Sequence, residues 1–369
     1  MTADADPGGL RRAWGWHAHL RDGGATPWRV WEGAGEPGGR YLPGAQQLEL
    51  LRRLNAAGDV PADLAARVLE ASAPGRGRPD LELSGAVEPR AFGPAPIDPA
   101  DLPDEELLRV LAGLLAEDVL AAGLPESPRP RAIRPWRQRY RMVGDPVLAD
   151  PRREDLTARG RPPGGRGSVV LVLGSDLGEM LVHEWTARSL GYGAPPFREW
   201  VGRAVRDTVP QRVDLARTAA VWRERVGAPR VRIVLDLGAV PRLVRVRRAP
   251  AAALPLTADA IELARRVGQV LGLLVAPPVR RDLLRRTLVP RLATSPGPAL
   301  VLPARHVERA HGQATRMRDA LLRAGYAVHG DPDGLLPTER PGVPEPSDAG
   351  ALALGMRLLL EQPEKRGTA

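Results

Sequence analysis

The sequence contains no cysteine among its 369 residues, and Lys365 is its only lysine. The missing thiols exclude disulfide bonds, thiolate zinc sites and a cysteine nucleophile. The formal net charge is +9, and nearly all of the positive charge is arginine. Arginine suits phosphate and carboxylate groups because its planar fork binds two oxygens at once. Here the arginines alternate with acidic residues along the chain, which is typical of a GC-rich coding sequence and does not favour a nucleic-acid partner.

Long apolar runs are also missing. The amino-terminal segment MTADADPGGLRRAWGW has no apolar core of the length found in signal peptides. No stretch approaches the roughly 18 consecutive apolar residues of a membrane-spanning helix. The six histidines include no pair at the H-x-x-x-H spacing that would favour a metal site. We therefore expect a cytoplasmic protein that binds neither a membrane nor a metal ion.

From residue 168 onward, short apolar runs alternate with segments that have the apolar spacing of helices. The apolar runs predict strands at Val169–Leu173, Val231–Leu235 and Ala299–Leu302, with a shorter strand in AVHGD. This alternation predicts an α/β fold, in which a parallel sheet has helices on both faces. Ligands of such sheets bind at the carboxyl ends of the strands. The residues there are the Gly174-Ser175-Asp176 turn, Asp236 and the His329-Gly330-Asp331 turn.

The first 160 residues have a different pattern. Leucine spacing predicts helices in GAQQLELLRRLNAAG, DVPADLAARVLEAS and PDEELLRVLAGLLAEDVLAAG. Residues 1–40 have no clear period, and residues 73–103 predict a long loop. Residues 125–167 contain many prolines, arginines and glycines and predict an irregular basic connection. We therefore expect a helical and loop-rich region at residues 1–160 that packs on an α/β domain at residues 161–369.

The order of the segments in the second half is similar to that of a known family. VVLVLGSDLGEMLVHEWTARSLGYGAPPFREWV combines a buried strand, a turn, a helix and a Phe-x-Glu-Trp segment. Three further segments follow in the same order as in that family: VDLARTAAVWRERVGAPRVRIVLDLG, LARRVGQVLGL and VERAHGQATRMRDALLRAGYAVHGDPDGLLP. Together these segments resemble sulfotransferase-like proteins, especially the divergent forms of high-GC bacteria. The resemblance covers about residues 168–337, which is under half of the chain.

This resemblance implies a P-loop or sulfotransferase-like fold and a nucleotide-binding transferase. Such an enzyme passes a sulfuryl group from 3′-phosphoadenosine 5′-phosphosulfate to the hydroxyl group of a small-molecule acceptor. Gly174 and Ser175 match the turn that holds the 3′-phosphate of this donor. The loop LRDGGATPW, with Arg21, Gly24 and Thr26, resembles the loop that follows a strand and holds the 5′-phosphosulfate.

Two positions depart from the family pattern. An alignment on Asp176 places Ser175 where the family has arginine and His183 where it has serine. Losing a guanidinium removes charge-assisted hydrogen bonds, each worth roughly 1.5–3 kcal/mol. His183 is the candidate catalytic residue, because a neutral histidine accepts a hydroxyl proton near pH 7. The alternative is a packed or exposed histidine with no part in catalysis.

Two interpretations of the Gly174 turn stay open. The unpaired N–H groups and the dipole at a helix N-terminus favour a bound anion. The negative charge of Asp176 favours instead a strand–helix junction that this side chain caps. The corresponding functions are an active sulfotransferase, or a catalytically degenerate relative whose fold is a scaffold for a protein partner or ligand.

Overall fold

The structure is a computed structural model and describes residues 7–72, 80–86, 96–126, 132–133, 139–165, 167–206 and 208–361. The chain forms two compact units. The first unit combines residues 1–123, 262–291 and 347–369, and the second combines residues 124–261 and 292–346. Each unit is therefore built from separate stretches of sequence.

The chain contains helices in both units and strands in the second. The described α-helices are α1 (Pro7–Arg21), α2 (Ala45–Ala57), α3 (Ala62–Glu70), α4 (Asp104–Ala122), α5 (Pro146–Ala158), α6 (Leu177–Gly191), α7 (Phe197–Arg206), α8 (Leu215–Val226), α9 (Val240–Leu243), α10 (Ala258–Leu274), α11 (Pro277–Leu283), α12 (Val289–Leu292), α13 (Ala304–Arg323) and α14 (Asp348–Leu360). The strands are β1 (Tyr140–Gly144), β2 (Val169–Leu173), β3 (Val231–Val234) and β4 (Ala327–His329).

The first unit is helical in its described residues, and the three predicted helices are confirmed as α2, α3 and α4. Three acidic residues occupy the first turn of α4, where the helix dipole favours them, and Gly123 ends the helix with φ +63°. Helix α4 packs on α14, and a Cβ at Gly355 would lie 2.3 Å from Leu111 Cδ2. Helix α1 was not predicted, because its two buried tryptophans, Trp14 and Trp16, interrupt the leucine-type pattern.

The second unit contains a parallel sheet of four strands in the order β1-β2-β3-β4. Alternate residues of each strand point to opposite faces. One face packs against α5 and α9 and includes the residues Tyr140, Met142, Leu171, Leu173 and Val234. The other packs against α6, α7, α8 and α13 and includes the residues Val170, Val172, Val231 and Ile233. The predicted parallel sheet with helices on both faces is confirmed.

The helices between the strands contribute to both apolar clusters. Ala149 and Leu156 of α5 belong to the cluster on the first face. Helices α6, α7 and α8 belong to the cluster on the second face. Helix α5 also contacts the edge strand β1 and helix α6.

Two sequence-based predictions about the sheet are wrong. Residues 125–167 are not an irregular connection throughout, since they contain β1 and α5. The alternating burial of β1 is not apparent from its sequence YRMVG, because this segment contains an arginine and a glycine. Ala299–Leu302 is not a strand of the sheet, because its backbone pairs with Val343 in an isolated bridge. The prolines on both sides of this short run remove the N–H donors that would extend it.

Strand β1 and helix α5 precede residue 160 and belong to the same unit as the sheet. The sheet unit therefore begins earlier in the sequence than the domain expected at residues 161–369. That residues 1–160 do not fold independently stays a prediction.

We expect Gly144→Ala to destabilise the second unit strongly. Gly144 has φ +99°, and an added Cβ would lie 2.3 Å from the carbonyl oxygen of Leu173. The positive φ alone costs roughly 1–3 kcal/mol in a residue with a side chain. In addition, the backbone of Leu173 must move to make room for the added Cβ. Gly167→Ala is the control, since Gly167 has φ +76° and no atom within 4 Å of the added Cβ. Equal losses of unfolding free energy in urea would contradict the steric part of this explanation.

Candidate functional site

A fully buried carboxylate follows β1. Asp145 Oδ1 accepts hydrogen bonds from the N–H groups of Val147 and Leu148 at 2.8 and 3.0 Å. It therefore caps the N-terminus of α5. Asp145 Oδ2 accepts a third bond from His183 Nδ1 at 2.7 Å. This one side chain joins the end of β1, the start of α5 and the middle of α6.

His183 is held in an orientation that leaves one ring nitrogen for other contacts. Its Nδ1 donates to Asp145, while its Nε2 lies 3.8 Å from Glu179 Oε1. Burial by itself lowers the pKa of His183, but the hydrogen bond and negative charge of Asp145 outweigh it and raise the pKa above 6.5. The side chain is 17% exposed, so solvent reaches it. The buried carboxylate therefore stabilises the imidazolium form of His183 to a higher pH than in a free imidazole.

A second carboxylate caps the helix that follows β2. Asp176 Oδ1 accepts from the N–H of Glu179 at 2.8 Å. Asp176 Oδ2 accepts from the hydroxyl of Thr338 and from the guanidinium of Arg340, both at 3.1 Å. Arg340 also pairs with Glu179 Oε1 at 2.9 Å. These contacts link five charged side chains in a continuous row, which we call the carboxyl-end cluster. Its members are Asp145, His183, Glu179, Arg340 and Asp176.

The turn between β2 and α6 does not fit the phosphate of 3′-phosphoadenosine 5′-phosphosulfate. Gly174 donates its N–H to the carbonyl of Val234 at 3.1 Å, so this donor already belongs to the sheet. A Cβ at Gly174 would lie 2.3 Å from Leu215 Cδ1, so the glycine is required for packing. Ser175 Oγ is buried without a hydrogen-bond partner among the described residues. Above all, the carboxylate of Asp176 occupies the position at the helix N-terminus where an anion would bind.

Arg21, Gly24 and Thr26 belong to the first unit and take part in its local packing. Thr26 Oγ1 lies 3.0 Å from His19 Nε2, and Gly24 accepts a hydrogen bond from Asn55 at 2.7 Å. Arg21 lies 3.8 Å from the carboxylate of Asp22. The expectation that this loop follows a strand is wrong, since it follows helix α1. The loop therefore lacks the strand-to-helix geometry that holds a phosphosulfate.

A cavity of about 260 Å³ lies beside the last residues of β1. Helix α5 contributes Arg153, the loop before α8 contributes Arg212, and α8 contributes Trp222. Arg212 binds Asp150 through two hydrogen bonds of 2.9 and 2.6 Å, and Arg153 binds the same carboxylate at 2.8 Å. The cavity therefore combines two guanidinium groups and an aromatic ring at the carboxyl end of a strand, where parallel sheets bind ligands.

Sequence reasoning missed most of this site. Asp145 was missed although it had a local signal, because an apolar run followed by Gly-Asp-Pro is the pattern of a strand that is followed by a capped helix. Arg212 and Arg340 had no local signal, since they lie in loops among many other arginines. Of the predicted residues, Gly174, Ser175 and His183 lie in the second unit and adjoin the carboxyl-end cluster.

The other two predicted carboxyl ends form capped turns. Asp236 accepts a hydrogen bond from the N–H of Gly238 at 2.8 Å, and Asp331 accepts one from Asp333 at 2.9 Å. Both contacts are Asx-type turns that order the local backbone. Among the described residues, no group of three or more histidine, aspartate and glutamate side chains has an arrangement that could hold a metal ion.

The Asp145–His183 pair predicts a specific dependence of stability on pH. Because the folded-state pKa of His183 lies above 6.5, the pair contributes fully below about pH 6.5. Its contribution falls as the pH rises through the folded-state pKa. Urea unfolding between pH 5.5 and 9 should therefore show a difference between the native chain and His183→Gln that shrinks as the pH increases. The exposed His311→Gln is the control, and a difference that grows with pH would contradict the assignment.

Among the described helices, none has both the length and the apolar character needed to cross a membrane. Comparison of the chain with protein-family models, with curated proteins and with solved structures finds no match. The function of the chain is therefore inferred from the geometry of the second unit.

Proposed function

We propose that this protein is a scaffold that binds a small anionic ligand with a planar group in the cavity beside β1. The observation that carries the proposal is the convergence of Arg153, Arg212 and Trp222 on this cavity. This function corresponds to the non-catalytic alternative, and it does not require a phosphate at the Gly174 turn.

The charges of the cavity support an anion. Arg153 and Arg212 contact one carboxylate, Asp150, so these three lining side chains together retain a positive charge, while the charges of Glu184 and Asp145 also act on Arg212. A guanidinium group has five N–H donors, and a bidentate pair uses two of them. Arg212 therefore keeps donors for a ligand while Asp150 fixes its orientation. A preoriented guanidinium binds phosphate or carboxylate oxygens at a lower entropic cost than a mobile one.

Trp222 supports a planar group on the ligand. The ring is half-buried against the core of the second unit, and the guanidinium groups of Arg141 and Arg225 lie 5.5 and 5.3 Å from its centre. Aromatic rings and guanidinium planes both stack on flat ligands. The cavity is slightly smaller than the range of about 300–1,000 Å³ that is usual for ligand sites. It therefore suits a small ligand or one end of a larger ligand.

Calorimetry with pyrophosphate, adenosine and adenosine 5′-monophosphate tests this proposal. We expect the monophosphate to bind more tightly than either of the other two probes, because it combines the anion and the ring. Arg212→Gln should weaken its binding about tenfold, or roughly 1.4 kcal/mol, while Arg153 still pairs with Asp150. Trp222→Leu should weaken binding of the nucleotide and leave pyrophosphate unchanged.

The exposed Arg217 of α8 provides the matched control, since Arg217→Gln removes the same charge outside the cavity. Absence of binding at millimolar concentrations of every probe would overturn the proposal. So would an equal loss of affinity in Arg212→Gln and Arg217→Gln.

The second candidate function is sulfuryl transfer to a hydroxyl acceptor, and it is supported by the 2.7 Å contact between Asp145 and His183. A carboxylate on Nδ1 fixes the tautomer and orientation of a histidine and stabilises its protonated form. His183 could then accept the acceptor's proton at Nε2. Its raised pKa requires that the activity increase with pH through that value. The donor site expected at Gly174 does not fit this reaction.

Transfer of a sulfuryl group from 3′-phosphoadenosine 5′-phosphosulfate to 2-naphthol tests this second candidate, because in this direction His183 would accept the hydroxyl proton, and the naphthyl sulfate formed is measured by chromatography. Activity that rises with pH, falls at least a hundredfold in His183→Gln and is unchanged in His311→Gln would favour it. A rate equal to that of the protein-free solution would exclude it for this donor and leave the ligand-binding proposal unaffected.

A further inference from the structure

A basic groove runs along the solvent side of helix α7. It has a volume of about 610 Å³ and is lined by Pro196, Arg198, Glu199, Gly202, Arg203 and Arg206. The opposite side of the helix is buried in the core through Phe197, Trp200, Val201, Ala204 and Val205. The core contacts therefore fix the helix, while its arginines face the groove. This surface is separate from the cavity beside β1, and the inference does not rest on the proposed function.

Helix α13 brings further arginines to the same surface. Gln313 of α13 donates a hydrogen bond to the carbonyl of Val205 at 2.9 Å, which ties this helix to α7. Glu345 Oε1 lies 3.1 Å from Arg305 of α13 and 3.9 Å from Arg198 of α7. One carboxylate is thus shared by guanidinium groups from two helices.

The local charges leave a positive surplus. Glu199 pairs with Arg203 at 2.9 Å, and Arg206 uses its Nε to bind the carbonyl of Gly202. Within the described residues, Arg206 and Arg309 have no carboxylate partner. Burial lowers the pKa of the neighbouring His306, and the positive charges of Arg305, Arg309 and Arg206 lower it further. All three arginines therefore act on the same small region.

Gly202 leaves open space at the floor of this groove. It lies in the interior of α7, where glycine is less favourable than alanine. A Cβ at Gly202 would have no atom within 4 Å outside the backbone of its own helix. By contrast, a Cβ at Gly272 or Gly355 would lie 2.8 or 2.3 Å from a neighbouring side chain, so packing explains those helical glycines. Packing does not explain Gly202, which keeps the floor of the groove open.

We propose that this groove binds a polyhydroxylated ligand that carries at least two phosphate or sulfate groups. Arg198 and Arg206 are eight residues apart, which corresponds to about 12 Å along the helix, so one small anion does not reach both. Glu199 at the groove provides carboxylate oxygens that accept hydrogen bonds from hydroxyl groups. The lining contains no aromatic side chain, whereas sites for single-stranded nucleic acids stack bases on aromatic rings.

Binding of myo-inositol hexakisphosphate and sucrose octasulfate to the full chain tests the proposal. We expect at least one of them to bind with a micromolar dissociation constant, and the stronger of the two identifies the anionic group. The double variant Arg206→Gln/Arg309→Gln should weaken that binding at least tenfold. The matched control is Arg217→Gln/Arg223→Gln on α8, which removes the same charge from exposed arginines outside the groove and should change the affinity less than twofold.

A second variant fills the groove and keeps every charge. Gly202→Leu should weaken binding at least tenfold with no loss of thermal stability, because leucine favours the helix and a Cβ at this position has no atom within 4 Å outside its own helix backbone. Arg212→Gln should leave this binding unchanged, which separates the groove from the cavity beside β1.

Three outcomes would overturn the proposal. The first is absence of binding of both probes at millimolar concentration. The second is an equal effect of the two double variants, which would show general electrostatic attraction. The third is tighter binding of an eight-nucleotide single-stranded RNA that Gly202→Leu abolishes, which would make the groove a nucleic-acid surface.

Discussion

The buried carboxylate of Asp145 is the contact on which the second unit depends most. It lies at the end of β1 and accepts hydrogen bonds from the first turn of α5 and from His183 of α6. A fully buried carboxylate is costly unless each oxygen is satisfied, and here both oxygens accept hydrogen bonds. The strand, the two helices and the raised pKa of His183 are therefore linked through one side chain. A site that uses His183 would inherit its orientation from this contact.

The ends of β1 and β2 repeat one arrangement. In both, an aspartate directly precedes the helix, uses one oxygen to cap it, and presents the other oxygen to a cationic side chain. The helix N-termini that could bind an external anion thus hold carboxylates of the chain itself. Phosphate sites of the strand-loop-helix type leave these N–H groups open for the ligand. Positive charge for a ligand is instead available beside β1 and along α7, where the described lining side chains include more arginines than carboxylates.

The sheet places these features on different sides of the second unit. Helix α5 covers one face and α8 the other, and the residues that line the β1 cavity come from both helices and from the edge strand between them. Helices α7 and α13 pack on the second face and turn their arginines to solvent. Helix α5 contacts the edge strand β1, and the cavity lies between this strand, α5 and α8.

The sequence by itself determined the elements with strong periodicity. The strand at Val169–Leu173, the helix that follows it, the leucine-rich α4 and, within one residue of its end, the strand Val231–Val234 were predicted, because apolar spacing depends only on neighbouring residues. The sequence also placed His183 in the helix that follows β2, although only a family resemblance suggested a catalytic role for this residue. The sequence also predicted that Gly174 and Asp176 lie in a strand–helix junction, and the structure confirms this.

Only the tertiary structure decided which side chains meet. Arg340 follows Asp176 by more than 160 residues, and Arg212 follows Asp150 by about 60, so no local pattern connects either pair. The strand β1 was hidden because a short edge strand with an arginine and a terminal glycine has little apolar signal. Conversely, the apolar run near residue 300 resembles a strand locally, yet flanking prolines limit its hydrogen bonds and it pairs with Val343 instead. Local spacing specifies helices and buried strands, whereas strand partners and ion pairs depend on contacts between distant residues.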